Sequence, residues 1–201
     1  MITSLAEEDL LNFELDIASE FDSGNIKAPV HLHNGNETQI LEVFKDIREE
    51  DWVFSTWRSH YHCLLKGVPV VKLKKAIMDH RSIGLCFPEY KIYSSGIVTG
   101  SIPTSVGVAM NIKRLGKKGM VYCFVGDMGA ETGSFHESYN YSVRHDLPIM
   151  FIIEDNGVSV CTDTNKTWNK EHSPPLIKNK MIRYIYKSKW PHAGAGSRVQ
   201  F

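Results

Sequence analysis

VYCFVGDMGAETG, at residues 121–133, is the stretch that decides the fold. An apolar run ends in Gly-Asp, and a glycine-containing turn then leads into a helix, which is typical of a buried strand and its crossover helix. A second apolar run follows and ends in EDNG, residues 154–157. A strand–helix–strand unit with short connections is parallel and right-handed, so both strands end at the same edge of the sheet.

The residues at these two strand ends suggest a binding site. Asp127 and Asn156 lie at the carboxyl ends of neighbouring parallel strands, which is where open α/β sheets bind ligands. A hard divalent cation prefers oxygen ligands, and we expect three of them from the side chains of Asp127 and Asn156 and the backbone carbonyl of Val158. The helix that begins near Gly133 offers backbone N–H groups to a phosphate. The sequence therefore predicts a joint site for a metal ion and a phosphate group.

The rest of the chain extends this unit into an α/β domain. Periodic apolar positions predict helices over residues 5–21, 37–49, 57–66, 69–80, 103–115 and 133–145, strands over 120–125, 149–154 and 181–186, and a short buried run at 52–54. Residues 82–100 and 157–177 are expected to be loops. We expect one doubly wound domain over residues 1–201, with a mainly parallel sheet, helices on both faces and a helical N-terminal extension over 1–50.

Composition argues against several functional classes. Lys+Arg and Asp+Glu number 23 each, so no overall charge favours nucleic acid or a membrane surface. No apolar run reaches the ~20 residues that span a bilayer, and the acidic N-terminus lacks the pattern of a signal peptide. The four cysteines are scattered along the chain, which predicts a reducing, cytoplasmic location without disulfide bonds.

The amino-acid sequence around the two strand ends resembles that of a known family. GDMGAETGSFHESYN at 126–140 and LPIMFIIEDNGV at 147–158 resemble the thiamine diphosphate motif. They are most similar to the α subunit of the first component of 2-oxoacid dehydrogenases, and the resemblance covers roughly residues 37–165. It implies that Asp127, Asn156 and Val158 bind Mg²⁺, and that Met128 and Gly129 contact the cofactor. Met128 replaces a family glycine, so its side chain must turn away from the diphosphate.

Two further segments gain roles from the same resemblance. WRSH, at 57–60, matches a Tyr-Arg-x-His segment whose arginine binds the diphosphate. The resemblance assigns that role to Arg58, whose guanidinium can bind two phosphate oxygens. Trp57 stands at the tyrosine position, with an indole N–H in place of the hydroxyl. SSGIVTG, at 94–100, resembles a Gly-Ile-Val-Gly segment, which assigns backbone contacts with the cofactor to Gly96 and Val98.

The resemblance implies a two-chain enzyme that uses thiamine diphosphate and Mg²⁺. Its expected reaction is decarboxylation of a 2-oxoacid with transfer of the acyl group. The activating glutamate is expected on a β-type partner subunit that carries the pyrimidine-binding domain, in an α₂β₂ assembly. A lipoyl-bearing acyltransferase is a further candidate partner. Two alternatives stay open: a subunit of a split, transketolase-like ketol transferase, and a degenerate homologue that acts as a non-catalytic scaffold.

Three other interpretations have less support. His60, His62 and Cys63 do not have the spacing of a closed zinc site. A dinucleotide-binding oxidoreductase is disfavoured because no Gly-x-Gly-x-x-Gly follows the first clear strand. We expect His192 to lie in an ordinary tail, and Gly194 and Gly196 are followed by too little chain for a dinucleotide loop.

Overall fold

The protein is described by a computed structural model, which defines residues 4–169, 171 and 176–192. Gly194 and Gly196, which were considered above for a dinucleotide loop, lie outside the described residues. The helices are α1 (Glu7–Asp22), α2 (Glu37–Phe44), α3 (His60–Leu65), α4 (Val70–Ala76), α5 (Ser101–Arg114), α6 (Gly133–Arg144) and α7 (Thr164–Thr167). The strands are β1 (Trp52–Ser55), β2 (Cys86–Phe87), β3 (Ile92–Ser94), β4 (Val121–Gly126), β5 (Ile149–Asp155), β6 (Val158–Ser159), β7 (Thr162–Asp163), β8 (Leu176–Lys178) and β9 (Met181–Ile185).

Seven strands of the described chain form one mixed sheet, in the order β2-β3-β1-β4-β5-β9-β8. The five inner strands are parallel, and β2 and β8 are antiparallel edge strands. From β1 the chain passes to β3 on one side, and later to β4, β5 and β9 on the other. The sheet is therefore doubly wound, with its topological switch point between β1 and β4.

Helices cover both faces of the sheet, and the residues of β4 show how the two faces are divided. Val121, Cys123 and Val125 pack into a core that contains buried residues of α5 and α6. Tyr122 and Phe124, which alternate with them, pack into a second core with buried residues of α1 to α4. Continuous apolar runs of this kind are expected for strands that are buried on both faces. The predicted α/β fold class is confirmed.

The helices over residues 1–50 are part of this packing. Leu10 and Ile17 of α1 and Ile40 of α2 belong to the same core as Phe124 and Ile152 of the central strands. The two helices thus cover one face of the sheet. The assignment of residues 1–201 to a single domain stays a prediction. No helix of the described chain has both the length and the apolarity needed to cross a bilayer.

Several element boundaries differ from the sequence-based predictions. Residues 82–100, predicted as a loop, contain β2 and β3, and β3 pairs in parallel with β1. Strands of two or three residues are too short to show a hydrophobic period. The helix predicted from residue 57 begins at His60, so Trp57 and Arg58 lie in the connection after β1. The predicted helix over 69–80 ends at Ala76 and passes into a π-helical turn, and residues 157–177 include β6, β7 and α7.

Candidate functional site

A cavity of about 310 Å³ lies at the carboxyl ends of β1, β4 and β5, beside the switch point of the sheet. Gly126 pairs with Glu154 in the parallel register, so β4 and β5 end at the same level. Eight of the nine predicted site residues line the cavity: Trp57, Arg58, Val98, Asp127, Met128, Gly129, Asn156 and Val158. Gly96 is the exception.

Asp127 is the buried carboxylate of this cavity. It is only 2% exposed, and its Oδ2 atom has no hydrogen-bond partner among the described residues. Burial, together with the nearby charge of Asp155, raises the pKa of Asp127 to about 6, while the Thr164 hydroxyl and neighbouring backbone N–H groups oppose the increase. A buried carboxylate oxygen without a partner is costly, and a bound cation would remove that cost. The residue therefore fits the metal-ligand role that the sequence predicts.

The end of β5 presents the second predicted ligand. The Asn156 Oδ1 atom accepts a hydrogen bond of 3.2 Å from the Val158 N–H, which folds the side chain back along the following turn. Asp155, where the resembled family has asparagine, is 3.1 Å from Arg183 on the neighbouring strand β9. This ion pair gives the aspartate a structural contact with strand β9. Asp127, Asn156 and Val158 are thus brought together at one cavity.

Arg58 is fixed at one end of its guanidinium group. Its Nε–H donates a hydrogen bond of 2.8 Å to the carbonyl of Leu32. Both Arg58 and Trp57 line the cavity, and the Trp57 Nε1 atom is buried with no hydrogen-bond partner among the described residues. The site therefore combines a positively charged group with an unpaired indole donor, and both groups suit an anionic ligand.

The connection between β3 and α5 forms an exposed rim. Ile97 is 75% exposed and Val98 is 53% exposed, although both are apolar. Thr99 adopts a left-handed backbone conformation, with φ of 61°, beside the cavity. A Cβ atom at Gly96 would approach Ile83 Cδ1 to 3.2 Å, so this glycine packs against the preceding turn.

Met128 and Gly129 form the turn between β4 and α6. Met128 has right-handed helical angles, φ −67° and ψ −36°, so its position does not require glycine. Its sulfur accepts a hydrogen bond of 3.1 Å from the Trp168 indole N–H, which engages the side chain with the short helix α7. Gly129 is more constrained, because a Cβ atom there would lie 3.0 Å from Val125 Cγ1.

The segment after β9 forms a cavity wall that the sequence did not predict. Tyr186, Lys187, Ser188, Trp190 and His192 line the cavity, so the expectation that His192 lies in an ordinary tail is wrong. Three bonds join the wall to the loop before α2: Lys189 N–H to Asn34 O (3.0 Å), Ser188 Oγ to His33 O (3.3 Å) and His31 Nδ1 to His192 O (2.7 Å). The available signal was a predicted strand over 181–186, which places the next residues at the ligand-binding edge.

Glu154 is a second buried carboxylate that sequence reasoning missed. It lines the cavity, is 6% exposed, and accepts hydrogen bonds from the Tyr184 hydroxyl and, at 3.3 Å, from Asn36 Nδ2. Burial raises its pKa to about 7, and these hydrogen bonds and the charge of Arg58 oppose the increase. A charged residue within an otherwise apolar strand was the signal available in the sequence.

Comparison with known proteins gives a consistent family. The family model for the dehydrogenase E1 component matches residues 7–175. The chain is 30% identical to the α subunit of acetoin:2,6-dichlorophenolindophenol oxidoreductase from Cupriavidus necator, over 75% of this chain and 48% of that protein. It is 31% identical to the pyruvate dehydrogenase E1 component subunit α of Porphyra purpurea, over 74% of this chain and 49% of that protein. The chain thus spans about half the length of these curated relatives.

Among solved structures, a Mycobacterium smegmatis protein described as a thiamin diphosphate-dependent enzyme aligns with a TM-score of 0.39 and 17% identity. The alignment covers 58% of this chain and 20% of that one. This similarity is too low to support an argument about function.

Proposed function

The chain belongs to the dehydrogenase E1 component family, and from this we propose that it is the diphosphate- and magnesium-binding subunit of a thiamine diphosphate-dependent enzyme. We propose decarboxylation of a 2-oxoacid with transfer of the acyl group as its reaction. The observation that carries the proposal is the buried, unpartnered Oδ2 atom of Asp127, in a cavity also lined by Asn156, Val158 and Arg58. The proposed location is cytoplasmic.

The predicted site residues would have different parts in holding the cofactor. The side-chain oxygens of Asp127 and Asn156 and the Val158 carbonyl would bind Mg²⁺, which in turn neutralises phosphate charge. The guanidinium of Arg58 would bind diphosphate oxygens through the N–H groups that Leu32 leaves available. Backbone groups of Met128 and Gly129 would contact the diphosphate, and those of Gly96 and Val98 would contact the aminopyrimidine and the diphosphate. When bound, thiamine diphosphate supplies an electron sink for cleaving the bond next to a carbonyl.

A partner chain completes this proposal. We assign no activating glutamate to the present chain and place it on a β-type subunit with the pyrimidine-binding domain, in an α₂β₂ assembly. The apolar rim at Ile97 and Val98 lies beside the cavity and is suited to such a contact. A lipoyl-bearing acyltransferase is the proposed acceptor of the acyl group.

Turnover by the assembled complex tests the reaction. The chain, co-purified with a β-type subunit, is assayed for carbon dioxide release from a panel of 2-oxoacids, with 2,6-dichlorophenolindophenol as electron acceptor. We expect turnover that requires thiamine diphosphate and Mg²⁺ and is lost in Asn156→Ala. Asn111→Ala, at an exposed position on α5, is the matched control and is expected to retain turnover.

Ketol transfer from a sugar phosphate and cofactor binding, measured on the same complex, separate the two alternatives. Transfer of a ketol group from a sugar phosphate, without carbon dioxide release, would replace the proposed reaction with a transketolase-like one. A complex that neither turns over nor binds the cofactor would identify the chain as a scaffold.

A further inference from the structure

Behind the cavity, three buried side chains from distant parts of the chain converge on one point. His33 precedes α2, His62 lies on α3, and Glu154 lies on β5. One potential ligand atom from each residue lies within 4.8 Å of the other two. We propose that His33, His62 and Glu154 form a binding site for a zinc ion, separate from the magnesium position at Asp127. This inference does not depend on the proposed reaction.

His33 is oriented as a metal-binding histidine would be. Its Nδ1 atom lies 3.0 Å from Glu14 Oε1, and its backbone N–H donates to Glu14 Oε2 at 2.7 Å. A carboxylate only accepts, so Nδ1 carries the hydrogen and the Nε2 lone pair is available. That Nε2 atom is buried and has no hydrogen-bond partner among the described residues. A carboxylate that accepts from the second ring nitrogen is the usual support of a metal-ligating histidine.

His62 repeats this arrangement from the other side. Its Nδ1 atom lies 3.4 Å from Ser55 Oγ, which itself donates toward the Arg58 carbonyl. The Ser55 oxygen is therefore the acceptor for the His62 Nδ1–H, and the Nε2 lone pair faces inward. His62 Nε2 is buried, lacks a hydrogen-bond partner within the described chain, and lies 3.6 Å from Glu154 Oε1. Burial lowers the pKa of His62 well below its ordinary value, so the ring is neutral.

A divalent cation can bind all the acceptor atoms of this cluster, whereas a single proton cannot. Two imidazole lone pairs and a carboxylate are all acceptors, and a single proton shared with Glu154 would satisfy only one imidazole. The cluster also lacks positive charge: in the described chain, the only groups within 4.0 Å ion-pair distance of Glu14 and Glu154 are histidines. Arg58 acts on Glu154 from a greater distance. A divalent ion would bind all three acceptors and neutralise the buried carboxylates.

The donor set selects the metal. Two imidazole nitrogens and a carboxylate oxygen suit zinc, which leaves its fourth position to water or a further ligand. Zinc–ligand distances of about 2.0–2.1 Å place adjacent ligand atoms roughly 3.4 Å apart. The separation of 3.6 Å between His62 and Glu154 is close to that value, and small side-chain rotations would bring in His33. The ion would tie the loop before α2, helix α3 and strand β5 together behind the cavity.

Metal content tests the site directly. The full chain, co-purified with its partner subunit where one is present, is incubated with ZnCl₂, freed of excess metal by desalting, and analysed by inductively coupled plasma mass spectrometry. We expect one zinc per chain in the wild type and loss of most of it in His33→Gln and in His62→Gln. His136→Gln, at an exposed position on α6, is the matched control and is expected to keep the ion.

Two further measurements distinguish loss of the zinc site from loss of the magnesium site and from misfolding of a variant. Asp127→Asn is expected to retain zinc, so a failed magnesium site and a failed zinc site give different results. Wild-type chain loaded with Co²⁺ is expected to show the visible absorption of a four-coordinate ion, and this needs no folded variant. A wild type that takes up no stoichiometric zinc, or zinc retained in full by both histidine variants, would overturn the proposal.

Discussion

At the scale of single residues, Arg58 shows how one contact orients a side chain for another. Its Nε–H is committed to the Leu32 carbonyl, so the guanidinium enters the cavity in a fixed plane. A planar group with several donors can bind two phosphate oxygens at once, whereas an ammonium group acts as a point charge. The type of cationic side chain at position 58 should therefore matter in addition to its charge.

Arg58→Lys tests this distinction. We expect thiamine diphosphate to bind roughly 10- to 100-fold more weakly, because a charge-assisted hydrogen bond contributes about 1.5–3 kcal/mol. Isothermal titration calorimetry with Mg²⁺ and the partner subunit present measures the change. Arg114→Lys, at an exposed position on α5, should bind like the wild type. Equal affinity of Arg58→Lys and the wild type would rule out a bidentate contact.

Glu14 is a charged residue whose role is structural. Burial raises the pKa of its carboxyl, but the neighbouring His33 and His60 outweigh this effect and hold the pKa at about 2, below its ordinary value of 4.5. A depressed carboxyl pKa stabilises the fold above the unfolded-state pKa, and this stabilisation is lost as the pH falls through the folded-state pKa.

Glu14→Gln is therefore expected to lower the free energy of unfolding by about 3 kcal/mol at pH 7, because glutamine lacks the charge that the contacts with His33 and His60 stabilise. The difference between wild type and variant should shrink as the pH falls from 4.5 toward 2. Urea denaturation at a series of pH values measures it, and Glu8→Gln, exposed on the same helix, is the control. A difference that is small at neutral pH, or that grows in acid, would contradict this assignment.

At the scale of secondary-structure elements, the turn before α6 positions the cavity floor. Thr132 Oγ1 accepts from the Phe135 N–H at 3.3 Å and donates to the Gly129 carbonyl at 2.7 Å. One hydroxyl thus caps the helix and fixes the turn that carries Met128 and Gly129.

Thr132→Ala should destabilise the fold by about 1 kcal/mol, because the helix loses its cap. Chemical denaturation gives the value, and Thr132→Ser, which keeps the hydroxyl, should recover most of it. We also expect weaker cofactor binding in the alanine variant, because the turn is released. Unchanged stability would show that the hydroxyl makes no net contribution.

The elements also show where sequence reasoning succeeds. The β4–α6–β5 unit could be predicted because its long apolar runs and intervening helix give strong patterns, and it carries Asp127, Asn156 and Val158. The short strands β2 and β3 could not, because they are held by pairing with the rest of the sheet and not by their own periodicity. The wall at Lys187–His192 was missed for a similar reason: it is fixed by hydrogen bonds to residues 31–34, which are distant in sequence.

The proposed zinc cluster also could not be predicted from the sequence. His33, His62 and Glu154 are far apart in sequence, and only the packing of α3 and the loop before α2 against β5 brings them together. Spacing rules for zinc sites apply to ligands on adjacent turns or loops, so they have nothing to detect here.

At the scale of the whole molecule, the cavity has an apolar rim. Val98, Val158 and Val160 are exposed and line the cavity. Ile97, next to Val98 in the chain, and Trp168, which bonds to the cavity residue Met128, are also exposed. Contiguous exposed apolar groups often mark a protein interface. We propose that the β-type partner covers this rim and closes the cofactor site.

Ile97→Glu tests the proposed interface. A charge within the proposed apolar contact should abolish co-purification of the partner while the melting temperature of the isolated chain stays unchanged, because Ile97 is 75% exposed. Val71→Glu is the matched control: Val71 is 81% exposed on α4, and no residue of α4 lines the cavity, so this variant should still bind the partner. Wild-type levels of partner in the Ile97→Glu preparation would place the interface elsewhere.

Calorimetry of cofactor binding tests the central claim most directly, namely that Asp127 holds a divalent cation that fixes the diphosphate. Thiamine diphosphate is titrated into the chain with its partner, with Mg²⁺ or with EDTA, using the wild type, Asp127→Asn and the exposed-site control Asp146→Asn. We predict Mg²⁺-dependent binding by the wild type and the control, and at least about 100-fold weaker binding by Asp127→Asn, a loss of roughly 2.7 kcal/mol. Binding by Asp127→Asn with wild-type affinity, or wild-type binding that is equally tight in EDTA, would contradict the account.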